Sequence, residues 1–190
     1  MSKKYIEDVN FKGEDFTEKG LPKGEYENCT FVNCVFSNVL LTGISFLDCT
    51  FEDSDLSMAK VDETAFKNVQ FKNCKLLGVN FDDCNGFLLA YSFDNCLLNF
   101  CSFYKLKLKN TVFKDCKLQE VEFVETDLTN AAFKNCDLKD AKFENTLLEN
   151  ADFRTSFNFS IDPEVNRVYK AQFSIHNVAG LLHKYKIKVE

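Results

Sequence analysis

Large apolar residues recur at nearly every fifth position of this chain for about 140 residues. The first run is Phe11, Phe16, Leu21, Tyr26, Phe31, Phe36, Leu41, Phe46, Phe51, Leu56, Val61, Phe66, Phe71, Leu76 and Phe81. The second starts at Leu88 and Phe93 and keeps the same step to Leu148 and Phe153. A period of five matches neither the 3.6 of a helix nor the 2 of an ordinary strand. Two positions before each centre stands a smaller residue, such as Cys29, Cys34, Val39, Ser54, Ala59, Thr126 or Ala131. Two positions after it, Asn, Asp or Gly fills 19 of 29 units. Those types accept the positive φ that a tight turn requires. Each five is therefore a short extended piece with one large and one small inward side chain, closed by a turn. Turning at that interval winds a chain into a solenoid.

Units such as Ala151-Asp152-Phe153, Thr126-Asp127-Leu128 and Ser54-Asp55-Leu56, spread over roughly residues 9–156, resemble the pentapeptide-repeat family. The resemblance implies an all-β fold: a right-handed quadrilateral β-helix of about seven coils, with twenty residues per coil. On that frame Phe11, Phe31, Phe51 and Phe71 form one column. The register slips by two residues between Phe81 and Phe93, and a bulge near 84–88, around Gly86-Phe87-Leu88, carries the column on through Phe93, Phe113, Phe133 and Phe153. The opposite column reads Leu21, Leu41, Val61, Phe81, Phe103, Phe123 and Phe143. Seven coils at ~4.8 Å per strand give a rod roughly 34 Å tall.

Composition adds direction. The net charge of −6 sits in residues 1–85, with 9 basic and 15 acidic side chains, while the rest of the chain is balanced. An acidic half argues against direct binding to nucleic acid, which needs clustered Lys and Arg. It leaves a basic protein partner open. No apolar run reaches membrane-spanning length and no leader peptide is visible, so a cytoplasmic location without membrane contact is expected. The nine cysteines form no Cys-x-x-Cys pair, and all occupy the small inward position. They read as buried free thiols, not as a metal or redox framework. No nucleophile elbow, phosphate loop or metal-ligand motif is present, and an enzyme needing a catalytic residue, a cofactor or a metal is not expected.

Function is therefore sought on the surface. Outward positions beside the opposite column gather Asp62, Glu63, Asp82, Asp83, Glu122, Glu125 and Glu144, diluted by Lys60, Lys105 and Lys142. This acidic face could imitate the phosphate ladder of DNA or be only a solvated face. Leu89, Phe100 and Tyr104, close after the slip, mark a possible interaction patch.

The tail, 157–190, reads as a cap. After a turn-rich exit, Ser174 suggests the N-cap of an α-helix running to about Tyr185. Its apolar stripe is Ile175, Val178, Ala179, Leu181, Leu182 and Tyr185. A short strand is expected over 187–189. The stretch from Ile161-Asp162-Pro163-Glu164 to Arg167, with Ala179-Gly180-Leu181-Leu182, resembles the Qnr-like and microcin-immunity group of the family. That resemblance implies a C-terminal helix pairing two rods into a homodimer. It also implies binding to DNA gyrase or topoisomerase IV, with protection against fluoroquinolone or peptide toxin. The alternative is a protein-interaction scaffold for another partner.

Overall fold

A computed structural model describes residues 4–188. The chain winds as a parallel β-solenoid with four faces. One face is a seven-stranded sheet of β2 (Asn10–Lys12), β4 (Thr30–Val32), β6 (Thr50–Glu52), β8 (Val69–Lys72), β9 (Tyr91–Asp94), β10 (Val112–Lys114) and β11 (Ala132–Lys134). The preceding face is a four-stranded sheet of β1 (Lys4–Glu7), β3 (Gly24–Glu27), β5 (Ser45–Leu47) and β7 (Ala65–Lys67). The two remaining faces are held by single parallel bridges, such as Asp15 to Val35 to Asp55 to Lys75, and Ser102 to Glu122 to Lys142.

The register is twenty residues per coil. Phe11 pairs with Phe31, Phe31 with Phe51 and Phe51 with Phe71. Phe71 then pairs with Phe93, so that coil holds two residues more. The rings of this column stack nearly parallel, with centroids from 4.7 Å (Phe31–Phe51) to 5.3 Å (Phe71–Phe93). Rings from neighbouring columns meet them edge-on, as Phe103 meets Phe113 at 6.0 Å and 77°. Stacked and edge-to-face pairs are the two geometries a ring quadrupole favours. A five-residue period thus yields an aromatic core with few conformational alternatives.

The corners follow the sequence rule. Asn28, Asn33, Asn38, Asn68, Asn73, Asn110, Asn130, Asn135, Asn145 and Asn150 all have positive φ, as do Gly13, Gly43 and Gly78. Several corner amides also reach the next coil, as Asn68 Nδ2 donates to Asp48 Oδ1 at 2.6 Å and Asn135 Nδ2 to Asp115 Oδ1 at 2.8 Å. The small inward residues have a second task. Cys136 Sγ donates to the Phe113 carbonyl at 3.4 Å, and Cys74 to that of Phe51 at 3.4 Å. Thr126 Oγ1 reaches the Phe103 carbonyl at 2.8 Å, and Ser54 Oγ that of Phe31 at 3.1 Å. Each supplies a donor to a buried carbonyl one coil below, where an unfilled acceptor would be costly.

Three expectations are corrected. First, Leu88 is not a core centre: it is 65% exposed with φ 58°. The chain leaves the rod between Cys84 and Tyr91, and Tyr91 turns inward to pack on Phe66 at 5.7 Å and Phe81 at 5.2 Å. Gly86 brings no side chain to that coil, so the tyrosine two residues before Phe93 fills the space. Second, the rungs do not stop at Phe153. Asp152 bridges Gln172, and Phe173 stacks on Phe153 at 5.3 Å as a ninth ring.

Third, Ser174–Tyr185 is not an α-helix. It forms two short 3-10 turns, Val178–Leu181 and His183–Tyr185, ending at Lys186 with φ 51°. Tertiary bonds hold it open. Asn177 Nδ2 donates to the carbonyls of Phe153 and Ser156 (2.8 and 2.9 Å), and its Oδ1 accepts from the Ser174 N–H. The Ile161 N–H donates to the Gly180 carbonyl, and Gly180 lies so close to Phe159 that a Cβ would stand 2.6 Å from its ring. A continuous helix would break these contacts with the last coil. No strand forms at 187–188, and Val189 lies outside the described residues.

Candidate functional site

All seven acidic residues fall on one face and its following corner. The coil-to-coil bonds Gly43 N–H to Asp62 O and Glu63 N–H to Asp83 O set Asp62–Glu63 one rung from Asp82–Asp83. Two rungs beyond Asp82, Glu122 stands in register between Ser102 and Lys142. Asp62, Glu63, Asp83, Glu125 and Glu144 are exposed, and Asp82 and Glu122 half-buried. The column is not uniform. Tyr104 donates to Glu125 at 3.3 Å, and Lys105 pairs with Glu125 at 3.6 Å. The densest carboxylate group is thus the quartet Asp62, Glu63, Asp82 and Asp83. Beside Glu144 a groove runs along the last coil, lined by Asp140, Lys142, Ser160 and Asp162.

The three patch residues differ in their surroundings. Phe100 is 57% exposed at a corner with φ 65°. Leu89 packs partly against the core, and Tyr104 is half-buried with Lys105 4.6 Å over its ring. Met58 shares Phe100's character, exposed and with positive φ, and is not among the sequence-predicted patch residues. Its sequence signal is a large apolar residue in a position given mostly to Asn, Asp or Gly.

At the tail, Ile175, Val178 and Tyr185 are exposed, while Ala179, Leu181 and Leu182 are half-buried. Leu181 packs on the core. Lys184 pins the segment to the preceding turn through Asp162 at 2.7 Å and Glu164 at 2.6 Å, and Tyr185 donates to Glu164 at 2.7 Å. The hydrogen bonds and charge of Lys184 hold both carboxyls below their usual values.

All nine cysteines are free and buried. Burial pushes the thiols of Cys49, Cys84 and Cys101 up to about 12. They are protonated at neutral pH and inert as nucleophiles or ligands. Among the described residues no group of three His, Cys, Asp or Glu is arranged to hold a metal ion, and no helix is long and apolar enough to cross a membrane.

The family model for the pentapeptide repeat region matches residues 24–86 and 85–153. No curated protein matches the chain. Among solved structures, a trypsin-treated form of QnrB1, a plasmid-mediated fluoroquinolone resistance protein, is similar with a TM-score of 0.72 at 16% identity. The match covers 98% of this chain and 92% of that one. Full-length QnrB1 is similar with a TM-score of 0.54 at 15% identity, covering 97% of this chain and 100% of that one. At such identities the likeness is one of fold.

Proposed function

Because the chain belongs to the pentapeptide-repeat family, we propose that it is a non-enzymatic binding rod that docks on DNA gyrase or topoisomerase IV. The face carrying Asp62, Glu63, Asp82, Asp83, Glu122, Glu125 and Glu144 takes the place of a DNA segment, and the enzyme is protected from a fluoroquinolone or a peptide toxin. The observation that carries this reading is the register of the acid quartet. Two carboxylate pairs lie one coil apart, and a coil step of about 5 Å is of the same scale as the ~3.4 Å charge spacing along one DNA strand. The fold is shared with QnrB1, a plasmid-mediated fluoroquinolone resistance protein, and that likeness suggests the fluoroquinolone as the drug to test. The exposed Ile175, Val178 and Tyr185 of the tail support a homodimer joined there, and a target of this kind calls for a rod in the cytoplasm.

A supercoiling assay tests this. The full chain should inhibit gyrase at high concentration, or restore supercoiling in the presence of fluoroquinolone or microcin, and the effect should weaken with salt. Changing Asp62, Asp82 and Asp83 to Asn and Glu63 to Gln should abolish it. Absence of inhibition, protection and binding at low salt would overturn the reading. Light scattering showing a monomer would remove the dimer.

A second reading, a scaffold for another protein partner, is favoured by the exposed apolar Phe100. Loss of partner binding on changing Leu89, Phe100 and Tyr104, with the acid quartet intact, would select it.

A further inference from the structure

Among the described residues, most positive-φ corners carry Gly, Asn, Asp or another charged residue; the exceptions are Met58 (φ 57°), Leu88 (φ 58°) and Phe100 (φ 65°). The left-handed conformation presses Cβ against the following carbonyl, and a bulky side chain there is an outlier. None of the three recovers that cost by burial, being 46%, 65% and 57% exposed. Strain kept at an exposed position points to a use for the side chain.

Met58 and Phe100 share one edge of the rod. The Met58 N–H donates to Leu77 O, the Gly78 N–H to Asn99 O and the Phe100 N–H to Gln119 O. Met58, Gly78 and Phe100 are therefore successive rungs. A Cβ on Gly78 would stand 2.5 Å from Met58 Sδ. The absent side chain lets the thioether lie along the edge, over the gap between the two corners. Leu40, 69% exposed, bridges Lys60 on the adjoining face. That same face ends, five residues on from Met58 and from Gly78, in Glu63 and Asp83, with Asp62 and Asp82 beside them. One face thus has an apolar edge and an acidic edge.

We infer that this face docks an amphipathic basic segment of a partner protein. Apolar side chains of the segment seat on the Met58–Gly78–Phe100 edge, and its Lys or Arg side chains meet Asp62, Glu63, Asp82 and Asp83. Charge selects the occupant. A nucleic acid or an anionic lipid surface brings the wrong sign, and a second copy of this chain brings the same four carboxylates. The surface shares acidic residues with the gyrase reading but does not depend on it, since the apolar edge has no counterpart in imitating a phosphate ladder.

The test uses the full chain and a fluorescein-labelled peptide of alternating Leu and Lys. Peptides of alternating Ser and Lys, and of alternating Leu and Glu, serve as controls. Anisotropy titrations should show the Leu-Lys peptide binding at least about tenfold more tightly than either control. The double variant Met58→Asn/Phe100→Asn should lower its affinity about tenfold, to the level of the Ser-Lys peptide. Asn suits positive φ, so the urea midpoint of that variant should hold or rise, and lost binding is not lost folding. The variant Asp62→Asn/Glu63→Gln/Asp82→Asn/Asp83→Asn should remove the salt dependence. Equal affinity for the Leu-Lys and Ser-Lys peptides, or unchanged binding by the double variant, overturns the inference. Peptide binding without any gyrase effect sinks only the gyrase reading; a gyrase effect without peptide discrimination sinks only this one.

Discussion

Replacing Phe113 by Ala should remove a large part of the stability of the rod. Phe113 is fully buried and stacked between Phe93 at 5.2 Å and Phe133 at 5.0 Å, with Phe103 and Phe123 edge-on at 6.0 and 5.9 Å. Truncating such a ring to Ala costs roughly 3–5 kcal/mol, because the rings above and below are held by backbone ladders and cannot close the gap. Leu lines the next face in the same coils, with Leu98, Leu118 and Leu138 fully buried. Phe113→Leu therefore fits and refills most of the volume. It forfeits the aromatic contacts, about 0.5–1.5 kcal/mol for each ring pair beyond area alone. With the four ring pairs taken at the low end of that range, a total of about 2 kcal/mol is expected. Phe173, the ninth ring, is half-buried and stacks on one side only. Phe173→Ala should cost about 1–2 kcal/mol. Urea unfolding followed by far-ultraviolet circular dichroism measures all three. Neighbour-coupled rungs predict the ordering Phe113→Ala, then Phe113→Leu, then Phe173→Ala level with or below it. Equal losses at Phe113 and Phe173 would falsify the picture of a stack that gains stability from both neighbours.

Further outcomes follow from other contacts. Thr126→Val removes the hydroxyl that donates to the carbonyls of Phe103 at 2.8 Å and Val124 at 3.4 Å, the former retaining the Leu106 N–H at 3.1 Å; a loss of about 1 kcal/mol is expected by urea titration, with Thr126→Ser closer to the parent. At about pH 8 a thiol reagent should leave the buried cysteines unmodified in the native protein and label all nine in denaturant; prompt native labelling of Cys101 would contradict its burial. Asp162 and Glu164 have carboxyls held below their ordinary 3.8 and 4.5 by Lys184. A depressed folded value gives stability present above the unfolded value and lost as pH falls through the folded one. Hydrogen exchange over 174–186 should thus quicken as pH drops below about 4, after correction for intrinsic rates. Lys184→Met should flatten that dependence. Finally, Glu120 has φ 55° at a corner, so Glu120→Asn should raise the unfolding free energy read by urea titration by an amount on the order of 1 kcal/mol or less.

The Phe column and the Asn corners could be read from residue order because each repeats one local constraint, a ring inward or a positive φ. Leu88 could not. A period counts residues along the chain, whereas the excursion at 85–90 makes that coil two residues longer and hands the inward position to Tyr91. The tail failed for another reason. Ile175, Val178, Ala179 and Leu182 do make a helical stripe, but Asn177 and Gly180 are held by the last coil, and those bonds join residues more than fifteen positions apart. Of the candidate surface, the acidic face followed directly from the period. The role of Met58 did not, because its proximity to Gly78 is a contact between coils.

The excursion between Cys84 and Tyr91 has one further consequence. Phe71 and Phe93 stack at 5.3 Å, as closely as rungs without extra residues, and the seven-stranded sheet runs through that level unbroken. The four-stranded sheet stops there. The molecule thus has a spine that carries length and strength, and beside it a port where chain can be added without being measured. Segments lengthened at that port would project sideways while every other address on the rod, coil number and face, stayed where it was. A protein built this way can acquire new contacts at one level and keep its old ones at all the others.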